Sequence, residues 1–143
     1  MAGFVGRIAM NVRPIATTLL VASGMALASS AVADDVGMNE YMQACSGCHG
    51  TNALGDGEMA EFMTIKVPDI TMLAQENDGV FPMLRVIHSI DGRTGVRGHG
   101  TEMPIWGLQY KDAVLGDAGV YGAETLVRGR VLSIAYYLES IQK

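Results

Sequence analysis

The clearest apolar pattern lies at the C-terminal end of the chain. Val127, Val131, Ile134, Leu138 and Ile141 recur at alternating steps of four and three residues. That step is the stripe of an amphipathic helix, predicted over 123–142. A shorter helix is predicted over 81–91, with Pro82 in its first turn and Gly92 ending it. Leu84, Ile87 and Asp91 share one face of it. Residues 36–44 form a third, with Gly37 and Tyr41 one turn apart. A short helical pattern also covers Glu58 to Ile65. No stretch alternates in the manner of a strand, so the expected class is all-α. The stretches 50–57 and 92–107 read as glycine-rich loops, and 111–122 reads as a loop insertion. No internal repeat or low-complexity linker divides the chain, so one domain is expected.

The N-terminal pattern is of another kind. Arg7 and Arg13 precede an apolar stretch from Ile15 to Ala28, and Ala31-Val32-Ala33 then gives small residues before Asp34-Asp35. This is the make-up of a secretory signal peptide over 1–33, cleaved after Ala33. A retained membrane anchor is the alternative, but the apolar stretch falls short of the roughly 20 residues that span a bilayer. The leader holds two of the ten cationic residues and none of the fifteen acidic ones, so its removal takes the net charge from −5 to −7. An acidic surface disfavours nucleic acid and anionic membranes, and favours a partner with a basic patch.

Export changes the meaning of the two cysteines. They stand in Cys45-Ser46-Gly47-Cys48-His49. A disulfide is the default in an oxidising compartment. A thioredoxin-like pair needs a βαβ setting, which the neighbourhood lacks. A zinc site needs further ligands, and His88 and His99 do not have zinc-finger spacing. Haem attachment uses every member of the motif: two thiols for the two vinyl groups and the adjacent imidazole for the iron. Candidates for a second axial ligand are Met59, Met63, Met72, Met83, Met103, His88 and His99. Met103 stands out because Pro104 forces it into an extended conformation within a glycine-flanked loop. His99 is the alternative and makes a bis-histidine haem. Met59 and Met63 read as core or cap residues. Arg85, Arg93 and Arg97 fall close together in an acidic chain, as propionate or partner contacts or as a solvated face.

These residues carry a family likeness. Cys45-Ser46-Gly47-Cys48-His49-Gly50, Met103-Pro104-Ile105-Trp106-Gly107 and the terminal Ala135-Tyr136-Tyr137-Leu138-Glu139-Ser140-Ile141 resemble class I c-type cytochromes. Gly55-Asp56-Gly57 and Val67-Pro68-Asp69-Ile70-Thr71 resemble the loop after the haem motif. The likeness spans 36–143. It implies a cytochrome c-like helical domain at 34–143 wrapped around one covalently attached haem c, with His49 and Met103 as iron ligands. It implies crossed first and last helices, with Gly37 and Tyr41 facing Gly129 or Tyr137. It further implies that the Pro68 carbonyl orients His49, and that Trp106 packs on the haem edge. The implied role is a periplasmic electron carrier rather than an enzyme, serving a respiratory complex or terminal reductase or oxidase. The alternatives are a haem subunit of one oxidoreductase, or a ligand-binding haem protein if Met103 is displaceable.

Overall fold

A computed structural model describes residues 28–95 and 103–143, with side chains from residue 35 onward. Most of the predicted leader, together with Arg97 and His99, lies outside the described residues. The elements are α1 (Ala28–Ala44), α2 (Ser46–His49), α3 (Met83–Asp91) and α4 (Trp106–Ser140), with short 3₁₀ turns at Ala60–Phe62 and Gln75–Asn77. Among the described residues there is no strand, and the all-α expectation holds. Among them, too, no helix is long and apolar enough to cross a membrane.

The predicted C-terminal stripe is the core. Val127, Val131, Ile134 and Leu138 are buried with Ala135, against Tyr41 and Cys45 of the N-terminal segment and Val86 and Ile90 of α3. α1 presents Gly37, Tyr41 and Cys45 at steps of four, one face of a helix. At Gly37 the crossing is too close for any side chain: a β-carbon there would run into the Ser133 carbonyl and lie 2.9 Å from Tyr137 Cβ. The Tyr41 and Tyr137 rings pack at 5.2 Å. The expected crossing is therefore present, against Tyr137 and Ser133. Gly129, the other expected partner, has open space around it.

Four expectations are corrected. In α3 the buried face is Val86 and Ile90, while Leu84 is 65% exposed. A nine-residue helix holds two overlapping apolar stripes, and the one that meets α4 is buried. Pro82 caps α3 rather than sitting inside it, and Gly92 ends it in the left-handed conformation, as expected. The pattern from Glu58 to Ile65 shrinks to the single turn Ala60–Phe62.

The largest correction is 111–122, which is helix rather than a loop insertion. α4 starts at Trp106 but is broken at Gly119, where φ is 65° and ψ is 178°. Such a conformation is open only to glycine. The break folds the helix back on itself. A straight helix would hold residues 110 and 130 about 30 Å apart, yet the Arg130 guanidinium lies 4.1 Å from the centre of the Tyr110 ring. α4 is thus a helical hairpin with Val120 and Tyr121 exposed at its tip. Arg130 also donates to Glu40, at 2.7 Å from Nη2 and 2.9 Å from Nε to Oε2. One guanidinium therefore joins α1 to both arms of the hairpin.

Candidate functional site

The stripe that buries Tyr41 also aims the cysteine motif. α1 passes into α2 with a bend at Cys45, whose amide donates to the Tyr41 carbonyl at 2.8 Å. One turn on, the His49 amide donates to the Cys45 carbonyl at 2.9 Å. The Tyr41 hydroxyl donates to the Gly50 carbonyl at 2.6 Å and closes the segment from below. The Gly55 amide donates to the His49 carbonyl at 2.8 Å. Cys45, His49 and Gly50 are all buried.

A second stretch follows the 3₁₀ turn. Met63 takes up extended backbone there, φ −82° and ψ 138°. A third stretch is Met103-Pro104-Ile105 leading into α4. These stretches enclose one cleft, lined by Ala44, Cys45, Cys48, His49, Met63 through Pro68 except Thr64, Met103, Pro104 and Trp106. Its empty space is about 590 Å³ with the open mouth included.

All six residues singled out in the sequence, Cys45, Cys48, His49, Pro68, Met103 and Trp106, line this cleft. Of the other methionines considered, Met63 also lines it, whereas Met59, Met72 and Met83 do not. His88 lies on a separate shallow groove with Val80, Leu84 and Arg85. Ile65, Lys66 and Val67 were not foreseen as lining residues.

Cys45 and Cys48 are not bonded to each other. Burial, helped by the nearby Cys48 and Glu40, pushes the Cys45 thiol up to about 12. A thiol so protonated at neutral pH is a poor dithiol-exchange nucleophile. Among the described residues no group of three or more His, Cys, Asp and Glu is arranged to hold a metal ion, which gives a zinc site no support. Tyr110 lies one turn beyond Trp106, stacked on it at 5.4 Å. Its hydroxyl is buried with no hydrogen-bond partner among the described residues.

The expectation for Arg93 is corrected. It belongs to neither a positive rim nor a solvated face. Its Nη2 donates to Asp91 Oδ2 and its Nη1 to Glu124 Oε2, both at 2.6 Å. Its Nε donates to Asp91 Oδ1 at 2.7 Å. Two carboxylates thus more than offset its charge. Arg85 is exposed on α3, away from the cleft.

No protein-family model, curated protein or solved structure matches the chain.

The donor set and the cleft fit a haem. Two thiols and an imidazole come from one stretch and a thioether from another, in a mostly apolar cleft. Lys66 adds a cation to the lining, and the Tyr110 hydroxyl is a buried donor without an acceptor beside Trp106.

Proposed function

We propose that this chain is a periplasmic electron-transfer protein of the class I cytochrome c type, carrying one haem c. The observation that supports this most is that the cysteine motif, Met103, Trp106 and Pro68, chosen from separate parts of the sequence, line a single apolar cleft. Cys45 and Cys48 would hold the haem covalently, and His49 and Met103 would ligate its iron. The bound haem supplies an iron that gains and loses one electron. The protein's residues hold and insulate it. The apolar side chains of Met63, Ile65, Val67 and Trp106 keep water from the cleft. His49 is oriented by the turn that fixes α2, with Pro68 beside it in the lining. Histidine and methionine together leave no open iron position for a substrate, and this ligand pair raises the reduction potential.

Met59, Phe62 and Ile65 are exposed apolar residues on the stretch that leads into the cleft lining, with Glu58 and Glu61 exposed among them. Together with the −7 charge of 34–143, they suit brief docking to a redox protein with a basic patch.

The test uses protein produced in a host that attaches haem c. The expected mass is the chain from Asp34 plus one haem, retained through acid-acetone extraction, and lost when Cys45 and Cys48 are both serine. Met103→Leu is expected to abolish the sulfur–iron charge-transfer band and admit carbon monoxide. Electron exchange with a basic partner should slow as salt shortens the screening length to about 8 Å. Extraction of haem from the unaltered protein defeats the assignment. Catalytic reduction of peroxide or a nitrogen oxide by the protein alone replaces the carrier with an enzyme.

A further inference from the structure

The residue that departs most from its sequence expectation is Arg93. It lies at the start of the connection between α3 and Met103. Its guanidinium is forked over Asp91 at the end of α3 and reaches Glu124 in the second arm of α4, with Nη1 and Nη2 at 2.6 Å and 3.2 Å from the two Glu124 oxygens. The first arm of α4 is pressed onto the same cluster. A β-carbon on Gly107 would lie 2.5 Å from Arg93 Nε and 2.6 Å from Asp91 Oδ1. Gly107 is buried, so only glycine permits this approach. Gly92 packs on Ile105 in turn: a β-carbon there would lie 3.2 Å from Ile105 Cγ2. The cluster therefore fixes the start of α4 at Ile105–Gly107, two residues after Met103. Asp91 and Arg93 are largely shielded, at 13% and 21% side-chain exposure, so the ion pair is better placed to matter than an exposed one.

We propose that Arg93 is a positioning residue for Met103: by clamping α3 to both arms of α4 it holds the Met103 segment over the cleft and so protects the sulfur–iron bond from competing ligands. The inference rests on the haem reading above. With the start of α4 held, Met103 leaves the cleft rarely, and an external ligand that must wait for it to leave binds more weakly by the closed-to-open ratio. Arg93 is not among the residues that line the cleft, so it acts on Met103 through the start of α4. Lysine cannot replace it, because a single ammonium cannot fork across Asp91 and Glu124 together.

The experiment is imidazole titration of the oxidised haem protein, followed by loss of the sulfur–iron band, in the unaltered chain and in Arg93→Gln, Arg93→Lys, Glu124→Gln and Arg128→Gln. Arg93→Gln is expected to bind imidazole about ten-fold more tightly, the lower end of the effect of outer-shell partners on metal sites. Arg93→Lys and Glu124→Gln should move in the same direction by less. Arg128 contacts Glu124 from the solvent side, and Arg128→Gln should change nothing. A purely structural role would lower the denaturation midpoint and leave imidazole affinity unchanged; that result overturns the proposal. Should Arg93→Gln fail to fold, Glu124→Gln decides the matter on the same terms. If the unaltered protein lacks the band, or Met103→Leu retains it, the ligand assignment itself is wrong. If the band depends on Met103 but imidazole affinity ignores Arg93 and Glu124, only the clamp is wrong.

Discussion

The two stretches that bring His49 and Met103 to the cleft are held by different means. The His49 stretch is held by close packing and short-range backbone bonds: α1 against α4 at Gly37, the helical turn through Cys45, and Tyr41 closing on Gly50. Among the described residues the Met103 stretch has fewer such bonds. The amides of Leu108 and Gln109 turn back to the Ile105 carbonyl at 3.1 Å and 3.3 Å, Met103 and Trp106 pack on the edge of the core, and Gly107 adds the contact with the Arg93 ion cluster. Packing is not titratable and hardly responds to salt. An ion cluster responds to both. A cleft built this way has a fixed side and a tunable side.

The sharpest way to break the comparison is at Gly37. Gly37→Val places side-chain atoms where the Ser133 carbonyl stands, and overpacking of this kind should cost about 3 kcal/mol. Denaturant unfolding of the haem protein, followed by circular dichroism, measures it. A loss under about 1 kcal/mol would show that α1 slides freely on α4 and that the His49 stretch is not fixed by packing.

Tyr41→Phe is the milder probe of the same side. It leaves the buried Gly50 carbonyl without its 2.6 Å donor, at an expected cost of about 1–2 kcal/mol. The same unfolding curves report it, and the sulfur–iron band should stay intact, because Met103 is held elsewhere.

The smallest effect is expected on the tunable side, in acid. Hydrogen bonds from Arg93, then Arg128, hold Glu124 down to about 2 from an ordinary 4.5. The hydrogen bond from Arg93 likewise lowers Asp91. Both groups are depressed in the folded protein, so their contribution is complete above the ordinary carboxylate value. It is lost as pH falls through the folded value. Between about pH 4.5 and 2 the clamp should weaken, and the sulfur–iron band should fade before the helical signal does. Glu124→Gln should flatten that limb. Simultaneous loss of band and helix would mean that the two sides do not separate.

The same contrast explains what could be read in advance. The motif Cys45 to His49 is contiguous and its helical turn is local, so five residues declare it. The terminal helix repeats one stripe for about four turns. Met103 was legible as a lining residue because Pro104 restricts its backbone to extended conformations. Arg93 was not legible: its second partner, Glu124, lies 31 residues on and belongs to a helix arm whose return depends on Gly119. The first arm of α4 was the least readable segment because its glycines depress helix propensity and its buried residues are Gly107 and Tyr110 rather than a stripe of large aliphatic side chains. Tertiary contact through Gly107 and Tyr110 makes it helical. In α3 the period was right and the face was wrong, since sequence does not say from which side α4 approaches.

Gly119 also divides the hairpin into two separate ladders of hydrogen bonds. Helix growth is cooperative only along an unbroken ladder, so the arms do not fray as one. The arm over 106–118 buries Gly107 and Tyr110, whereas the arm over 120–140 buries Ala123, Val127, Val131, Ile134, Ala135 and Leu138. Opening free energy follows buried contact. Amide protons of the first arm should therefore exchange with solvent through partial openings, while those of the second wait for the whole domain to unfold. The side of the cleft that carries Met103 is attached to the arm that opens first.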